Sequence, residues 1–420
     1  MADIIPFRGW RYNEELSADI GGLLSPPFDV VTPKQREQLY SRYYNSIHLS
    51  VPQYSVNHTA EYWKAWVQQG AIEQEEQPSI YVYYQYFRLP GTTENRVRKG
   101  FICLIRAYDW SENVVLRHED TIPHAVGERL ALLQQVGVQA SPTHGLYTDA
   151  NHQLEAYMDA CMEHPVYQVE DYQGVSDALG IISDPEVVSR FRQVIQDKQV
   201  ILADGHHRYQ GAVTYRQERL AQEPDNTRAL FNYHMMYLTN TESYDLRVLP
   251  THRLLTDVTL HSRRMENMQQ YFTLHEIDNP EDIPEIIYGK QHTFGMVTGD
   301  RAFILKLKPG AMKVQFWNLP RSVRRLDVTL VHYFLLEQIL GISRKQQPNA
   351  PVINYERNFT RCLNQVISGK ASLAIILNEL DIEQIKEVCY SGNVLPQKST
   401  FFFPKVICGF VFGEINPDHE

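Results

Sequence analysis

The chain has 420 residues, 43% of them hydrophobic and 21% charged, enough for large apolar cores and two or three domains. Its formal net charge of −10 argues against broad nucleic-acid binding, but leaves room for a local basic pocket that holds a small anion. Five scattered cysteines without a Cys-x-x-Cys pair, no signal-like leader and no apolar run approaching the roughly 20 residues of a bilayer span predict a cytoplasmic protein with reduced thiols and no membrane segment.

In chain order, the first stretch is rich in turn signals, and Ser25-Pro26-Pro27-Phe28-Asp29 must be extended because two prolines forbid helix there. Asn57–Gln69 reads as a helix anchored by Tyr62, Trp63 and Trp66. Ile80–Leu89 and Phe101–Ala107 read as strands of an antiparallel hairpin, turned at Pro90–Asn95. The stripe Tyr81, Tyr83, Tyr84, Tyr86 fits an amphipathic sheet surface better than a base-stacking platform. Helices are predicted near Ala125–Gln135, at Gln153–Glu163 and at Pro185–Gln196, the last capped by Asp184. Further on come a strand at Asn232–Thr239, a helix at Thr256–Tyr271 and strands at Thr293–Thr298 and Ala302–Leu307. Asp327–Leu340 is the clearest amphipathic helix, ended by Gly341. Ser372–Leu377 and Glu383–Tyr390 give a strand and a helix, and Phe401–Phe412 is β-prone but interrupted by Pro404. A soft boundary is expected within Asp278–Gly289.

The most informative stretch is Val200-Ile201-Leu202-Ala203-Asp204-Gly205-His206-His207-Arg208-Tyr209. An apolar strand ends at Asp204-Gly205, and a helix follows from Arg208 to Ala221. N–H groups at a helix start attract anions, and glycine permits close approach. Arg208 adds a cationic fork suited to phosphate, while Asp204, His206 and His207 could move protons or bind a metal. The plainer alternative is an Asp204 helix cap beside two solvated histidines. The chain lacks a GxxxxGK[ST] loop, GxGxxG, GxSxG and HExxH, which sets aside P-loop kinases, Rossmann dehydrogenases, common serine hydrolases and zincins.

Five blocks in register resemble the bacterial and archaeal family DUF1015, which has no assigned reaction. They are Pro26-Pro27-Phe28-Asp29-Val30, His118-Glu119-Asp120-Thr121, Ala203–Tyr209, Leu249-Pro250-Thr251-His252-Arg253, and Leu395–Thr400 followed by Phe403-Pro404-Lys405. The Asp-Gly-His-His-Arg turn more distantly resembles the phosphate-binding motif of the ParB/sulfiredoxin-like fold, which includes a free-serine kinase. That resemblance implies an α+β, mixed α/β chain with a ParB/sulfiredoxin-like core at 111–278. An N-terminal α+β region at 1–110 and a C-terminal one at 290–420 would flank it.

The resemblance further implies Glu119 as the acid assisting phosphoryl transfer, with Asp204 and His207 as catalytic partners. Gly205, His206, His207, Arg208, Arg253, Lys398, Ser399, Thr400 and Lys405 would hold a nucleotide. Asp204 and Glu119 would be ligands for a loosely bound Mg²⁺. Lys398 and Lys405 could instead be edge-strand charges, and Arg253 could simply pair with a carboxylate. The leading expectation is a phosphotransferase acting between ATP or ADP and a hydroxylated metabolite such as free serine or phosphoserine. A nucleotide-binding regulator and a metal-dependent hydrolase or phosphatase are the alternatives.

Overall fold

The structure, a computed structural model, describes residues 2–27, 30–89, 92–171, 173–299, 301–313 and 318–415. Phe28 and Asp29 of the expected extended run, and Pro90 and Gly91 of the expected hairpin turn, lie outside them. The chain is mixed α/β and forms two compact units. Unit 1 comprises Met1–Arg247 and Pro404–Glu420, and unit 2 comprises Val248–Phe403.

Unit 1 is built on a nine-stranded mixed sheet. Its strands are β1 (Ile4–Ile5), β2 (Ile80–Arg88), β3 (Asn95–Arg106), β4 (Val115–Arg117), β5 (Thr143–Tyr147), β6 (Tyr167–Glu170), β7 (Ser176–Ile182), β8 (Val200–Asp204) and β9 (Tyr233–Asn240). They lie in the order β4-β8-β5-β9-β3-β2-β7-β6, with β1 against β3. β8 runs parallel to β4, and β9 parallel to β5. The central strand β3 is buried on both faces. Phe101, Cys103 and Ile105 join one core, whereas Ile102 and Leu104 join the other, as two-residue alternation requires.

Helices cover both faces. On the first face, α3 (Pro185–Gln196) supplies Phe191 and Ile195, and α4 (His206–Gln222) supplies Tyr209 and Val213. On the second, α1 (Val56–Gln68) supplies Trp63 and Trp66. α2 (Pro123–Val136) packs between, with Leu133 in one core and Leu132 in the other. Asp184 caps α3 as expected, its Oδ1 accepting from the N–H groups of Glu186 and Val187. Tyr81, Tyr83 and Tyr84 are buried in the sheet packing and form no open stacking platform.

Unit 2 carries a six-stranded antiparallel sheet. Its strands are β10 (His252–Leu255), β11 (Phe272–Ile277), β12 (Thr293–Thr298), β13 (Arg301–Leu307), β14 (Ile353–Glu356) and β15 (Leu373–Ile376), in the order β11-β13-β12-β15-β10-β14. One face packs on Phe272, Phe294, Leu305 and Phe334, and the other on Val297, Cys362, Val366 and Ala374. Helix Phe359–Ile367 brings Cys362 and Val366 to that second face.

Several expectations change. The stretch Asp278–Gly289 lies inside unit 2, where Ile283 and Ile287 are buried, so it is no boundary. The regions 1–110, 111–278 and 290–420 cut across the two units, because strands from both 1–110 and 111–247 share one sheet. The helix expected at Thr256–Tyr271 begins only at Ser262, where His261 occupies the N-cap. Asp327–Leu330 is α-helical, but Val331–Ile339 continues as a π-helix. That widening is a frequent companion of functional positions, and here it carries His332. Only Phe402–Phe403 of the β-prone tail forms a strand. Val406, Phe410 and Phe412 instead pack as irregular chain into the second core of unit 1. The five cysteines are free, and among the described residues no helix is long and apolar enough to cross a membrane.

Candidate functional site

Strand β8 is apolar and buried through Ala203, then delivers a half-buried Asp204 to the turn. Gly205 follows with φ 91°, a conformation L side chains rarely adopt. A Cβ there would lie 2.6 Å from Thr143 Cγ2 and 2.9 Å from Arg208 Nη2. The strand-to-helix reversal therefore demands glycine. α4 starts at His206 with Gly205 at the N-cap, and no side chain caps it. Its first-turn N–H groups have no acceptor within the helix.

Asp204 is thus not the helix cap. Its Oδ1 meets the Lys405 ammonium, and its Oδ2 accepts from Arg208 Nη2 at 3.0 Å. Burial alone would raise the Asp204 carboxyl, but Lys405 and Arg208 outweigh it and hold the group well below the usual carboxylate range. Arg208 Nη1 also donates to Ser141 Oγ at 3.0 Å and to the Pro142 carbonyl at 2.8 Å. The cavity beside it, shared with Arg129 and His234, holds only about 40 Å³, roughly the room of one water. Arg208 does not open its fork to a ligand, as the sequence suggested; it braces the turn and contributes positive charge.

The two histidines diverge. His206 is buried, and its ring lies 4.7 Å from that of His118, edge to face. Burial first, then the neighbouring His118, pushes the His206 imidazole well below its ordinary range, so it is neutral. Its Nε2 is buried with no hydrogen-bond partner among the described residues. His207 turns the other way, and its Nε2 accepts the Ile122 N–H at 3.0 Å, at the start of α2. Strand pairing brings His118, the residue before Glu119, against the turn. Arg117 pairs with Leu202, and His118 Nδ1 bonds the Leu202 carbonyl at 2.8 Å. The half-buried Glu119 follows directly.

Sequence reading missed a polar row on the sheet face beneath the Pro404–Lys405 segment. Asp177 on β7 pairs with Gln85 on β2, and Gln85 pairs with Arg98 on β3. Arg98 donates to Gln85 Oε1 and to the Pro404 carbonyl, and Gln85 Nε2 donates to the Lys405 carbonyl at 3.0 Å. His144 on β5 pairs with Asp204 and bonds Thr239 on β9 at 2.8 Å. This row places Lys405 over Asp204. A signal existed: Gln85 interrupts Ile-Tyr-Val-Tyr-Tyr-Gln-Tyr-Phe at a buried position. Nothing local, however, names its partners across four neighbouring strands. Burial pushes the Asp177 carboxyl up to about 7, against hydrogen bonds from Tyr83 and Gln85.

The structure thus gathers Glu119, Asp204–Arg208 and Lys405 in unit 1, whereas Arg253, Lys398, Ser399 and Thr400 belong to unit 2. Lys398 is exposed in a turn at φ 57°, not on a strand edge. Arg253 is 1% exposed, and among the described residues it pairs with no carboxylate. Among the described residues no three metal-ligating side chains gather, and both Asp204 oxygens are engaged by cations, so this turn does not fit a resident metal.

A sequence profile of DUF1015, a protein family of unknown function, matches residues 4–329. The chain belongs to this family. No curated protein shows significant sequence similarity to it. Among solved structures it is similar to a free serine kinase in complex with AMP, at 12% identity and TM-score 0.38, over 75% of this chain and 91% of that one. A conserved hypothetical protein from Pyrococcus furiosus gives 12% identity and TM-score 0.35, over 73% and 92%. SbnI from Staphylococcus aureus, with a C-terminal truncation, gives 11% and 0.35, over 74% and 86%.

Proposed function

We propose that unit 1 binds the phosphates of ATP or ADP at the N-terminus of α4 and transfers phosphate between the nucleotide and a small hydroxylated metabolite. The observation that carries this reading is the uncapped start of α4, a 17-residue helix, at a glycine whose φ and surroundings exclude any side chain. Main-chain N–H groups at a helix start and the helix dipole favour an anion there. Arg208 and Lys405 outnumber the one carboxylate, Asp204, with which they pair. Neutral His206, with its partnerless Nε2, adds a hydrogen-bonding group at the first helical residue. In the roles assigned to the remaining residues, Glu119 orients the acceptor hydroxyl, His207 positions the approach from α2, and Asp204 acts as the anchor for two cations. Phosphoryl transfer asks mainly for such positioning and charge neutralisation. Magnesium would arrive on the nucleotide rather than wait on Asp204.

Free serine or phosphoserine is the acceptor to try first. That choice rests on the resemblance of the Asp-Gly-His-His-Arg turn to the motif of a free-serine kinase. The engagement of both Asp204 oxygens favours one second reading, a regulator that binds nucleotide without turnover. The test is nucleotide calorimetry beside phosphate transfer to free serine and related hydroxy metabolites. Arg208→Ala should weaken nucleotide binding and turnover together. Glu119→Gln should spare binding and cut turnover by about 10²–10⁴. Tight binding with no transfer to any acceptor supports the regulator; full nucleotide affinity in Arg208→Ala removes the turn from phosphate binding.

A further inference from the structure

Unit 2 holds a cavity of about 580 Å³ that the reaction proposed for unit 1 does not use, and every residue lining it belongs to unit 2. At its lining lies Arg253, a fully buried guanidinium. Its hydrogen-bond partners are neutral. Nε and Nη2 point to His332 Nε2 at 3.3 and 3.0 Å, Nη1 donates to the Thr251 carbonyl, and Nη2 reaches the Lys398 carbonyl at 3.4 Å. His332 is fixed as an acceptor on that side by its Nδ1 contact with Gln347 at 2.9 Å. An isolated buried charge is costly and is ordinarily paired. Burial lowers this guanidinium only to about 10, so it stays charged at neutral pH.

Three further observations point to a ligand. Thr251, buried and lining the same cavity, has a hydroxyl with no hydrogen-bond partner among the described residues. Arg321, Arg324 and Arg325 line it too, against the two carboxylates Asp327 and Glu379. Arg325 is bridged to Glu387, and Asp327 Oδ1 accepts the His292 N–H at 2.9 Å. Met312, Leu377 and Leu380 give the cavity an apolar wall. Its volume falls in the range of small-molecule sites, roughly 300–1,000 Å³.

We propose that this cavity binds a phosphorylated small molecule. Arg253 and the Thr251 hydroxyl take its phosphate, the Arg321 and Arg324 guanidiniums flank it, and the apolar wall takes its organic part. Arginine suits this role because its planar fork meets phosphate oxygens in pairs. The arrangement also gives a use to the blocks Leu249–Arg253 and Leu395–Thr400, since Thr251, Arg253 and Ser399 all line the cavity.

The test is calorimetry on the full chain with inorganic pyrophosphate and with ADP as probes. Thr251→Val removes a buried hydroxyl that has no partner among the described residues, so the fold tolerates it. It should nevertheless weaken pyrophosphate binding by about tenfold. Arg321→Ala, at an exposed position, should weaken it by at least a similar factor. ADP should bind the site more tightly than pyrophosphate, through its organic part. Glu119→Gln and Arg208→Ala, both in unit 1, should leave this component unchanged, which separates it from any nucleotide site there. No pyrophosphate binding by the unmodified protein at millimolar concentration overturns the proposal. So does a Thr251→Val or Arg321→Ala variant that binds as the unmodified protein does, or a component abolished by Arg208→Ala.

Discussion

The Asp204 turn of unit 1 and the Arg253 pocket of unit 2 both concentrate positive charge, and they handle it in opposite ways. In unit 1, Arg208 and Lys405 converge on one carboxylate and are engaged before any ligand arrives. What the turn offers an anion is main-chain N–H at the start of α4, with the cations as background field. In unit 2, Arg253 is just as deeply enclosed but meets carbonyls, a neutral histidine and the face of the Tyr355 ring, with no carboxylate paired to it among the described residues. A buried cation is therefore weak evidence of a site until its counter-charge is found. Where the counter-charge is a protein carboxylate, the pair serves the fold first.

The largest effect that can break this comparison is at Asp204. Asp204→Asn would leave Lys405 and Arg208 enclosed without their anion, and should cost about 3–5 kcal/mol of stability, read as a shift in urea unfolding. A cost near zero would mean the two cations are solvated and the turn is open.

Acid should separate the units next. In unit 1, burial lowers His118 to about 4 and His234 to about 3, and drives His144 and His206 well down. In unit 2, His252 is lowered to about 4 and His332 to about 3. An unfolded histidine titrates near 6.5. These groups therefore contribute full stability above that pH and lose it as pH falls toward 4 to 3, at roughly 1.4 kcal/mol per pH unit for each group. Hydrogen exchange at pH 7 and at pH 5 should show unit 1 losing protection sooner than unit 2.

A smaller effect of opposite sign is expected at Asp177, whose carboxyl is raised to about 7. A raised carboxyl stabilises fully below the unfolded value near 3.9 and loses that contribution as pH rises toward 7. Asp177→Asn keeps an oxygen for the Tyr83 and Gln85 donors, and should raise stability above pH 7 by roughly 1–3 kcal/mol with little change at pH 4. Smallest of all, Thr251→Val without ligand should be neutral or stabilising by up to about 1 kcal/mol.

The Asp204 turn was legible because its signals are local. An apolar tetrapeptide, a glycine forced to positive φ and a helical period occupy adjacent residues. Pro185–Gln196 was legible to its ends for the same reason, through Asp184 and Pro185. The row Asp177, Gln85, Arg98, Thr239, His144 was not, because each residue looks ordinary on its own strand and only the sheet order puts them side by side. Arg208 lies in the first turn of α4, but its partners at Ser141 and Pro142 come from a distant segment, so its orientation could not be read. Arg253 and Lys405 appeared as equivalent cations in sequence; the division into units and, among the described residues, a carboxylate beside Lys405 but none beside Arg253 distinguish them.

The most direct test of the central claim is nucleotide-dependent phosphate transfer to free serine and related hydroxy metabolites, measured on the full chain and on Glu119→Gln, with nucleotide affinity determined on both. The account predicts transfer by the unmodified protein. In Glu119→Gln it predicts loss of that transfer by two orders of magnitude or more at unchanged nucleotide affinity. Tight nucleotide binding with no transfer to any acceptor, or transfer undiminished in Glu119→Gln, would contradict it.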